Sequence, residues 1–387
     1  MTSRARVLSG FAVFGLALFF FPAFQEAMEL PRFYVIFLLS IFFWIAQASS
    51  WNILTGFSGY FSFGQGAWFG IGVYSVAVLA GKHGWPFIAA VPVGGLLALV
   101  GGLALGLVVF RLRMLGGEIF ALTTLAIAFV LAALARLTSA IDGGTGTFMT
   151  GTPIPEFLGE FNTAMYRMTL VVMLLTVLAA YLIYDSRLGW GLFAIRDDEA
   201  VAGGLGIPAF RYKMVALGVN AFFAGLMGGV WALQIGFVTV EEVFNIRVPL
   251  FVILMSILGG MRHWMGPVVG AIIIFTLSDR LNSAGLTDVN QIIIGSLLVI
   301  LTLAVKEGIY MRMRDRWLTT LISMVGVMTI MAVFGLTTSL ITGFAVAMVV
   351  TVTILLVPDR LWDRVRRGSD GGGGPPVEDG AMAEAGR

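Results

Sequence analysis

Apolar residues gather into long runs along nearly the whole chain, separated by short polar or charged stretches. The runs fall at 7–24, 33–54, 66–80, 86–110, 118–138, 166–184, 214–236, 248–260, 266–280, 289–305, 317–335 and 340–357. A helix of about 20 apolar residues crosses a hydrocarbon core of about 30 Å, and most of these runs approach that length. Transmembrane β-strands would show shorter segments of alternating polarity instead. The predicted fold is all-α, a polytopic transmembrane helical bundle with about 10 core spans and two additional C-terminal apolar segments. The first run follows Arg4 and Arg6. It is longer than a signal-peptide core and lacks a small-x-small cleavage site, so it reads as the first span.

Alternating the runs from a cytoplasmic N-terminus sorts the basic residues. Of the 24 Lys and Arg, 18 fall on the inner side, and 6 lie outside or near outer helix ends: Arg32, Lys82, Arg136, Arg167, Arg247 and Arg280. Basic residues concentrate on the cytoplasmic side of membrane proteins, so both termini and the 185–213 loop are expected in the cytoplasm. Segments 33–138 and 214–305 then start on opposite sides, as an inverted-topology repeat requires. A Gly-rich, partly polar stretch occurs in each, at 56–72 and at 259–270. The tail from Gly368 is rich in Gly, Pro and acid and is expected to be disordered.

Composition narrows the chemistry. Charged residues are 12% of the chain, apolar residues 58%, and mean hydropathy is +0.94. Soluble domains carry roughly twice that charged share. A net charge of +2 gives no reason to expect nucleic acid. The chain has no Cys and only His83 and His263, which leaves no thiolate site and little basis for a metal centre or a nucleophilic triad. Gly81-Lys82 is followed by His83, so no phosphate-binding GxxxxGK[ST] loop exists. ATP and Mg, if used, must be handled by partner chains. Ionisable residues are nearly absent from the spans, since Glu118, Arg136 and Arg280 lie near helix ends. Gradient-driven pumps place carboxylates at mid-span, so that class is disfavoured.

Polar residues nevertheless lie at membrane depth between Asn52 and Gly66, including Thr55, Ser58, Ser62 and Gln65. Two readings stand: a broken or re-entrant segment beside a pathway, or an ordinary cytoplasmic turn. Small residues at four-residue spacing (Ala98, Gly102, Gly106; Ala221, Gly225, Gly229; Gly266, Gly270) predict close helix packing.

Gly189 to Lys213 is the charge-rich interior loop. From Gly191 to Leu205 the residues favour a helix carrying Arg196, Asp197, Asp198 and Glu199, then Ala200, Ala202, Gly203 and Gly204. Gly206-Ile207-Pro208 stops it. Such a helix suits docking against a soluble partner, and a solvated connector is the plainer alternative.

Four stretches resemble the permease subunits of branched-chain amino acid ABC importers, of the LivM type. They are Asn52-ILTGFSGYFSFGQGAWFGIGVY-Ser75, Leu112-RMLGGEIFALTTLA-Ile127, Gly191-LFAIRDDEAVAGGLGIPAFRYKMVALGVNAFFAGLMGGVWA-Leu233 and Ile257-LGGMRHWMGPVVGA-Ile272. The turn from Asp142 to Gly146 is similar too. The likeness covers roughly residues 35–305 and implies a bundle like that of type II ABC importers. It implies that Arg196 to Gly206 forms the coupling helix, with Glu199, Ala200 and Gly206 as the matching positions. It implies a second permease in a heterodimer, two ATP-binding cassette subunits using ATP and Mg, and an extracytoplasmic binding protein, at a bacterial plasma (inner) membrane. The expected path is lined by Asn52, Ser58, Ser62, Gln65 and Thr123, with no catalytic or metal residue in this chain.

The sequence departs from the family at Lys306 to Tyr310, where a Pro-Arg-Gly turn is usual, and in the two apolar runs that follow. Trp68, Trp190, Trp231 and Trp264 stand where shorter residues are commoner. Related permeases serve urea or short amides, which stay open as substrates. A secondary transporter, which leaves the 189–213 loop unexplained, and a non-transporting scaffold, which predicts no transport and no ATPase partner, are the rival classes.

Overall fold

The computed structural model describes residues 3–111, 117–149, 152–154, 156–287, 290–293, 295–296, 308–333, 343–344, 346–348 and 350–351. Helices α1 (Ser3–Phe19) and α2 (Phe21–Ala27) form one apolar segment, with Pro22 in the first turn of α2, where its missing N–H is harmless. The long helices that follow are α3 (Phe33–Ser58), α4 (Gln65–Val76), α5 (Phe87–Val109), α6 (Gly117–Leu137) and α7 (Phe161–Tyr184). A π-helical turn, Ala77–Lys82, extends α4. Two short helices, α8 (Arg187–Asp197) and α9 (Glu199–Gly204), lead into α10 (Ala209–Ile235). Then come α11 (Val240–Val243), α12 (Arg247–Gly259), α13 (Gly266–Ser283), α14 (Ile309–Asp315) and α15 (Trp317–Val333). Among the described residues, the strand pairing is a two-residue antiparallel one of β1 (Thr147–Phe148) with β2 (Phe237–Val238).

The protein is thus an all-α, multi-pass membrane protein. Seven helices among the described residues are long and apolar enough to cross a bilayer: Ala5–Ala27, Phe33–Ser58, Phe87–Val109, Gly117–Leu137, Phe161–Tyr184, Ala209–Ile235 and Val240–Gly259. The sequence suggested about ten core spans. The run at 66–80 becomes α4, which has 12 residues. The run at 266–280 becomes α13, which carries Asp279 and Arg280 in its last turns. Of the C-terminal pair, the first becomes α15. Most of 289–305, most of 340–357 and the tail lie outside the described residues.

The bundle is built around α10 and α3. In α10, 72% of the apolar window is buried, against 11% for Ala5–Ala27 and 17% for α6. Helix α10 packs on α5, α4 and α3, while α3 also packs on α7 and α13. The small-residue stripes do the packing the sequence suggested. Ala98 and Gly102 of α5 lie against Gly225 and Ala221 of α10, and Gly266 and Gly270 lie against α12. At Gly72 of α4 a Cβ would collide with the Gly225 carbonyl, so no other residue fits there.

Candidate functional site

Helix α3 ends at Ser58 with Gly59 in the left-handed region, φ 77°. A left-handed glycine is a common helix stop, and here it turns the chain back along α3. The indole N–H of Trp51 donates to the Ser62 carbonyl at 2.7 Å. Trp51 lies seven residues before the end of α3, about 10 Å along the axis at 1.5 Å per residue. Gly59 to Gly64 therefore climbs back without helical structure, and α4 starts at that depth. The backbone of this stretch is irregular, with Ser62 and Gly64 buried, Tyr60, Phe61 and Phe63 half-buried and Gly59 exposed. Phe63 N–H donates to Thr124 Oγ1 of α6 at 3.0 Å, and Gly64 N–H donates to Ser62 Oγ at 3.1 Å.

The side chains here form a buried polar seam. Gln65 Nε2 donates to the Gln47 carbonyl at 3.1 Å, to Gln47 Oε1 at 2.6 Å and to Ser50 Oγ at 2.9 Å. Gln47 in turn donates to the Ala224 carbonyl of α10. Ser58 Oγ donates to the Leu54 carbonyl at 2.6 Å. Several buried polar atoms have no partner: Asn52 Oδ1, Gln65 Oε1, the Ser49 and Thr55 hydroxyls, the Trp68 indole N–H, and both amide atoms of Asn220 on α10. Buried polar groups are normally satisfied, and each exception calls for a reason.

Ser62 and Gln65 are thus held against the Gln47 to Trp51 part of α3, Ser58 lies at the end of that helix, and Thr123 stands apart. Its hydroxyl donates to the Ile119 carbonyl on its own helix at 2.8 Å. Its neighbour Thr124 faces the seam instead.

On the side where α3 ends, the 187–206 segment grips this stretch. Sequence suggested one helix over Gly191 to Leu205, whereas the structure breaks it at Asp198, which is extended (φ −161°, ψ 112°). The Asp198 carboxylate accepts from Val201 N–H at 2.9 Å and caps α9. Aspartate competes with the helical backbone in this way and favours caps over helix interiors. Arg196 donates to the Gly56 carbonyl near the C-terminus of α3, where a cation is favoured by the helix dipole. Asp197 lies 3.9 Å from Arg262 in the loop before α13, with both side chains mostly exposed.

Glu199 is more tightly held. Its Oε1 is 2.6 Å from Lys213 Nζ, and its Oε2 accepts the Tyr60 hydroxyl. Lys213 Nζ also donates to Tyr60 Oη at 3.0 Å and sits 4.2 Å from the Tyr60 ring centroid. Burial, then the hydrogen bond and negative charge of Glu199, push the Tyr60 phenol pKa above its usual value. The phenol therefore stays protonated and donates to the carboxylate. Burial, then the nearby Arg262, lower the Arg196 pKa from its usual value.

The opposite surface of the segment is bare. Trp190 (73%), Val201 (59%) and Leu205 (78%) are exposed, beside Ala200, Gly203 and Gly204. Gly206 has φ 86° and a Cβ there would meet nothing. Arg196 and Glu199 thus point back to the bundle beside the buried Leu192 and Ile195, Asp198 caps α9, and Trp190, Val201 and Leu205 point away.

Inter-loop contacts also respect the alternating order of spans. Arg136 pairs with Glu241 at 2.7 Å, Arg32 with Glu160 at 3.6 Å, and β1 with β2, all between loops of one side. On the other side Asp197 meets Arg262, Glu199 meets Tyr60, and His263 stacks on Tyr310 at 4.5 Å.

The family described as branched-chain amino acid transport system / permease component matches residues 32–302. The chain is 28% identical over 284 residues to the high-affinity branched-chain amino acid transport system permease protein LivM of Escherichia coli, covering 67% of this chain and 65% of that protein. It is 27% identical to the LivM protein of Salmonella typhimurium with the same coverage. A probable branched-chain amino acid transport permease protein LivH of Methanocaldococcus jannaschii is 26% identical over 224 residues, 55% of this chain and 69% of its own. The match thus spans slightly under two thirds of the LivM relatives' length. No solved structure matches the chain. With the family match running through the irregular stretch after α3, the 187–206 segment and α10, the chain belongs to the branched-chain amino acid transport system permease family.

Proposed function

We propose that this chain is the transmembrane permease subunit of an ATP-driven importer for branched-chain or other apolar amino acids. It works by alternating access, and partner ATP-binding cassette subunits consume the ATP and Mg; this chain holds no catalytic group. A second permease completes the pair, and an extracytoplasmic binding protein delivers substrate. The setting is the bacterial plasma membrane with both termini cytoplasmic, and the halves 33–138 and 214–305 act as an inverted repeat with a type II importer-like arrangement.

One observation carries this reading. Helices α8 and α9 expose Trp190, Val201 and Leu205 while Arg196 and Glu199 are bonded inward to Gly56, Tyr60 and Lys213. Exposed apolar groups in a polar loop suit a soluble partner's groove. The inward bonds carry any displacement of the segment to the end of α3 and to the re-entrant stretch bearing Ser58, Ser62 and Gln65. Asn52 and Asn220 would then meet a polar solute as the seam opens.

Purification of the complex from membranes tests this. Wild type should bring down two ATP-binding cassette chains and the second permease. Val201→Asp with Leu205→Asp should lose the ATP-binding chains and keep the permease partner. Full retention of the ATP-binding chains by this exposed-surface variant would reject the docking assignment.

A further inference from the structure

On the side of the bundle opposite the 187–206 segment, a polar cavity of about 340 Å³ opens between α2, the start of α3 and the start of α7. Its wall carries two cations and two anions, Arg32, Arg167, Glu26 and Glu160, together with Gln25 and Thr163. Their formal charges cancel, so the cavity offers both signs without a net field.

The groups are only partly engaged with one another. Arg32 and Glu160 are 3.6 Å apart, and both side chains are more than three quarters exposed, which makes their pairing weak in water. Arg167 lies two turns into α7. One of its terminal nitrogens donates to the Leu158 carbonyl at 2.9 Å, and its guanidinium lies 5.1 Å from the Phe19 ring centroid. Its Nε is buried and has no partner. A guanidinium is built to bind phosphate oxygens through several N–H groups, and this one still has N–H capacity.

The surroundings say where the anion comes from. Phe20, Phe24, Phe157 and Phe161 are all exposed around this end of the bundle. Phenylalanine rings have no polar atom, so left exposed there they suit contact with lipid acyl chains. The apolar segment Ala5–Ala27, which forms one wall, is the least buried of the spanning helices, so acyl chains have a bare apolar flank directly beside the cavity.

We infer that this cavity is a binding site for a zwitterionic phospholipid headgroup carrying a phosphate and a primary ammonium, with Arg167 and Arg32 on the phosphate and Glu26 and Glu160 on the ammonium. A bound lipid of this kind clasps the Ala5–Ala27 segment to α3 and α7. The site is independent of the transport reading and needs only that the chain be embedded in a bilayer.

The test is native mass spectrometry of the delipidated full-length protein titrated with phosphatidylethanolamine, phosphatidylcholine or phosphatidylglycerol. Phosphatidylethanolamine should bind best. Phosphatidylcholine lacks ammonium N–H donors, and phosphatidylglycerol lacks the cation. Arg167→Gln should weaken phosphatidylethanolamine binding about tenfold, the size of one lost charge-assisted hydrogen bond. Because Arg167 also supports Leu158, the exposed Arg32→Gln provides a second variant with the same direction of change. Glu26→Gln should erase the preference for phosphatidylethanolamine over phosphatidylglycerol while leaving phosphatidylglycerol binding intact, a result that mere loss of structure does not give. Equal binding of all three lipids by wild type, or unchanged binding by the arginine variants, overturns the site. If soluble O-phosphoethanolamine occupied the cavity as tightly as the lipid, the lipid assignment would fall too.

Discussion

Lys213 and Glu199 form an ion pair at 2.6 Å whose two ends live in different solvents. The lysine side chain is 6% exposed and the glutamate 39%. Tyr60 completes the contact, donating to the carboxylate and offering its ring face to the ammonium. The start of α10, the short helix α9 and the re-entrant stretch are thereby fastened at one point.

The asymmetry sets the first prediction. Glu199→Ala strands a buried ammonium and should destabilise the protein by about 2–3 kcal/mol, below the full figure for a buried pair because the Tyr60 hydroxyl and ring remain. Lys213→Met strands a carboxylate that water already reaches, and should cost about 1 kcal/mol or less. The double variant should be more stable than Glu199→Ala alone. Denaturation of the detergent-solubilised variants in a double-mutant cycle reads all three. Equal losses for the two single variants would contradict the burial asymmetry.

Glycine substitutions separate packing from exposure. Gly72→Ala drives a methyl into the Gly225 carbonyl between α4 and α10 and should lower stability by about 1–3 kcal/mol. Gly203→Ala, in the exposed α9 where nothing lies within 4 Å, should be neutral or stabilising by up to about 1 kcal/mol. Comparable thermal midpoints for both variants would mean that α4 and α10 do not approach this closely.

His263 supplies a pH dependence. Burial first, then the nearby Arg314, lowers its pKa from 6.5 to about 4. Besides Arg314, it faces the Tyr184 and Tyr310 rings and Trp264. Between those two values the unfolded chain binds a proton that the folded chain refuses, so stability falls as pH falls. The contribution is fully present above about pH 6.5, declines across the window and is gone below about 4. His263→Phe keeps an aromatic ring against Tyr310 but cannot titrate. Its unfolding midpoint should vary less between pH 6.5 and 4 than wild type. Parallel pH profiles would exclude His263 as a source.

Much of this architecture can be read in the sequence because lipid imposes a coarse rule. A span must be long and apolar, so α3, α5, α6, α7 and α10 stand out by length alone. The small-residue stripes are equally plain, since only Gly and Ala let backbones meet. Placement at single-residue resolution is different. Thr123 and Thr124 are adjacent and both donate to their own helix backbone, yet one helical step of 100° lets only the Thr124 hydroxyl also accept from Phe63. Gln47 sits inside an apolar run, and its polarity was a signal that only its pairing with Gln65 explains. The partners Tyr60, Glu199 and Lys213 are separated by up to 153 residues, and no local pattern in one sequence links them. Asp198 could have been read as a cap, because aspartate in a helix interior competes with the backbone. The return of the chain after Gly59 about 10 Å back along α3 rests on the Trp51 to Ser62 bond, which hydropathy does not see.

The chain has no cysteine, so a single introduced thiol reports on one position without background. Ser62 and Ser58 are buried in this structure, and Ser→Cys is nearly isosteric. If the polar seam opens during alternating access, a membrane-impermeant maleimide should label Ser62→Cys poorly at rest and faster when the assembled complex turns over ATP. Leu205→Cys, exposed on the docking face, should show the reverse, labelled readily in the isolated chain and protected in the complex. Ser40→Cys, one of the few hydroxyl positions on the apolar part of α3 and bonded only to the Ile36 carbonyl, serves as a control within the same helix and should label slowly in every condition. Labelling of Ser62→Cys that ignores turnover would remove the re-entrant stretch from the pathway while leaving the docking assignment standing, because the two thiols report on separate steps.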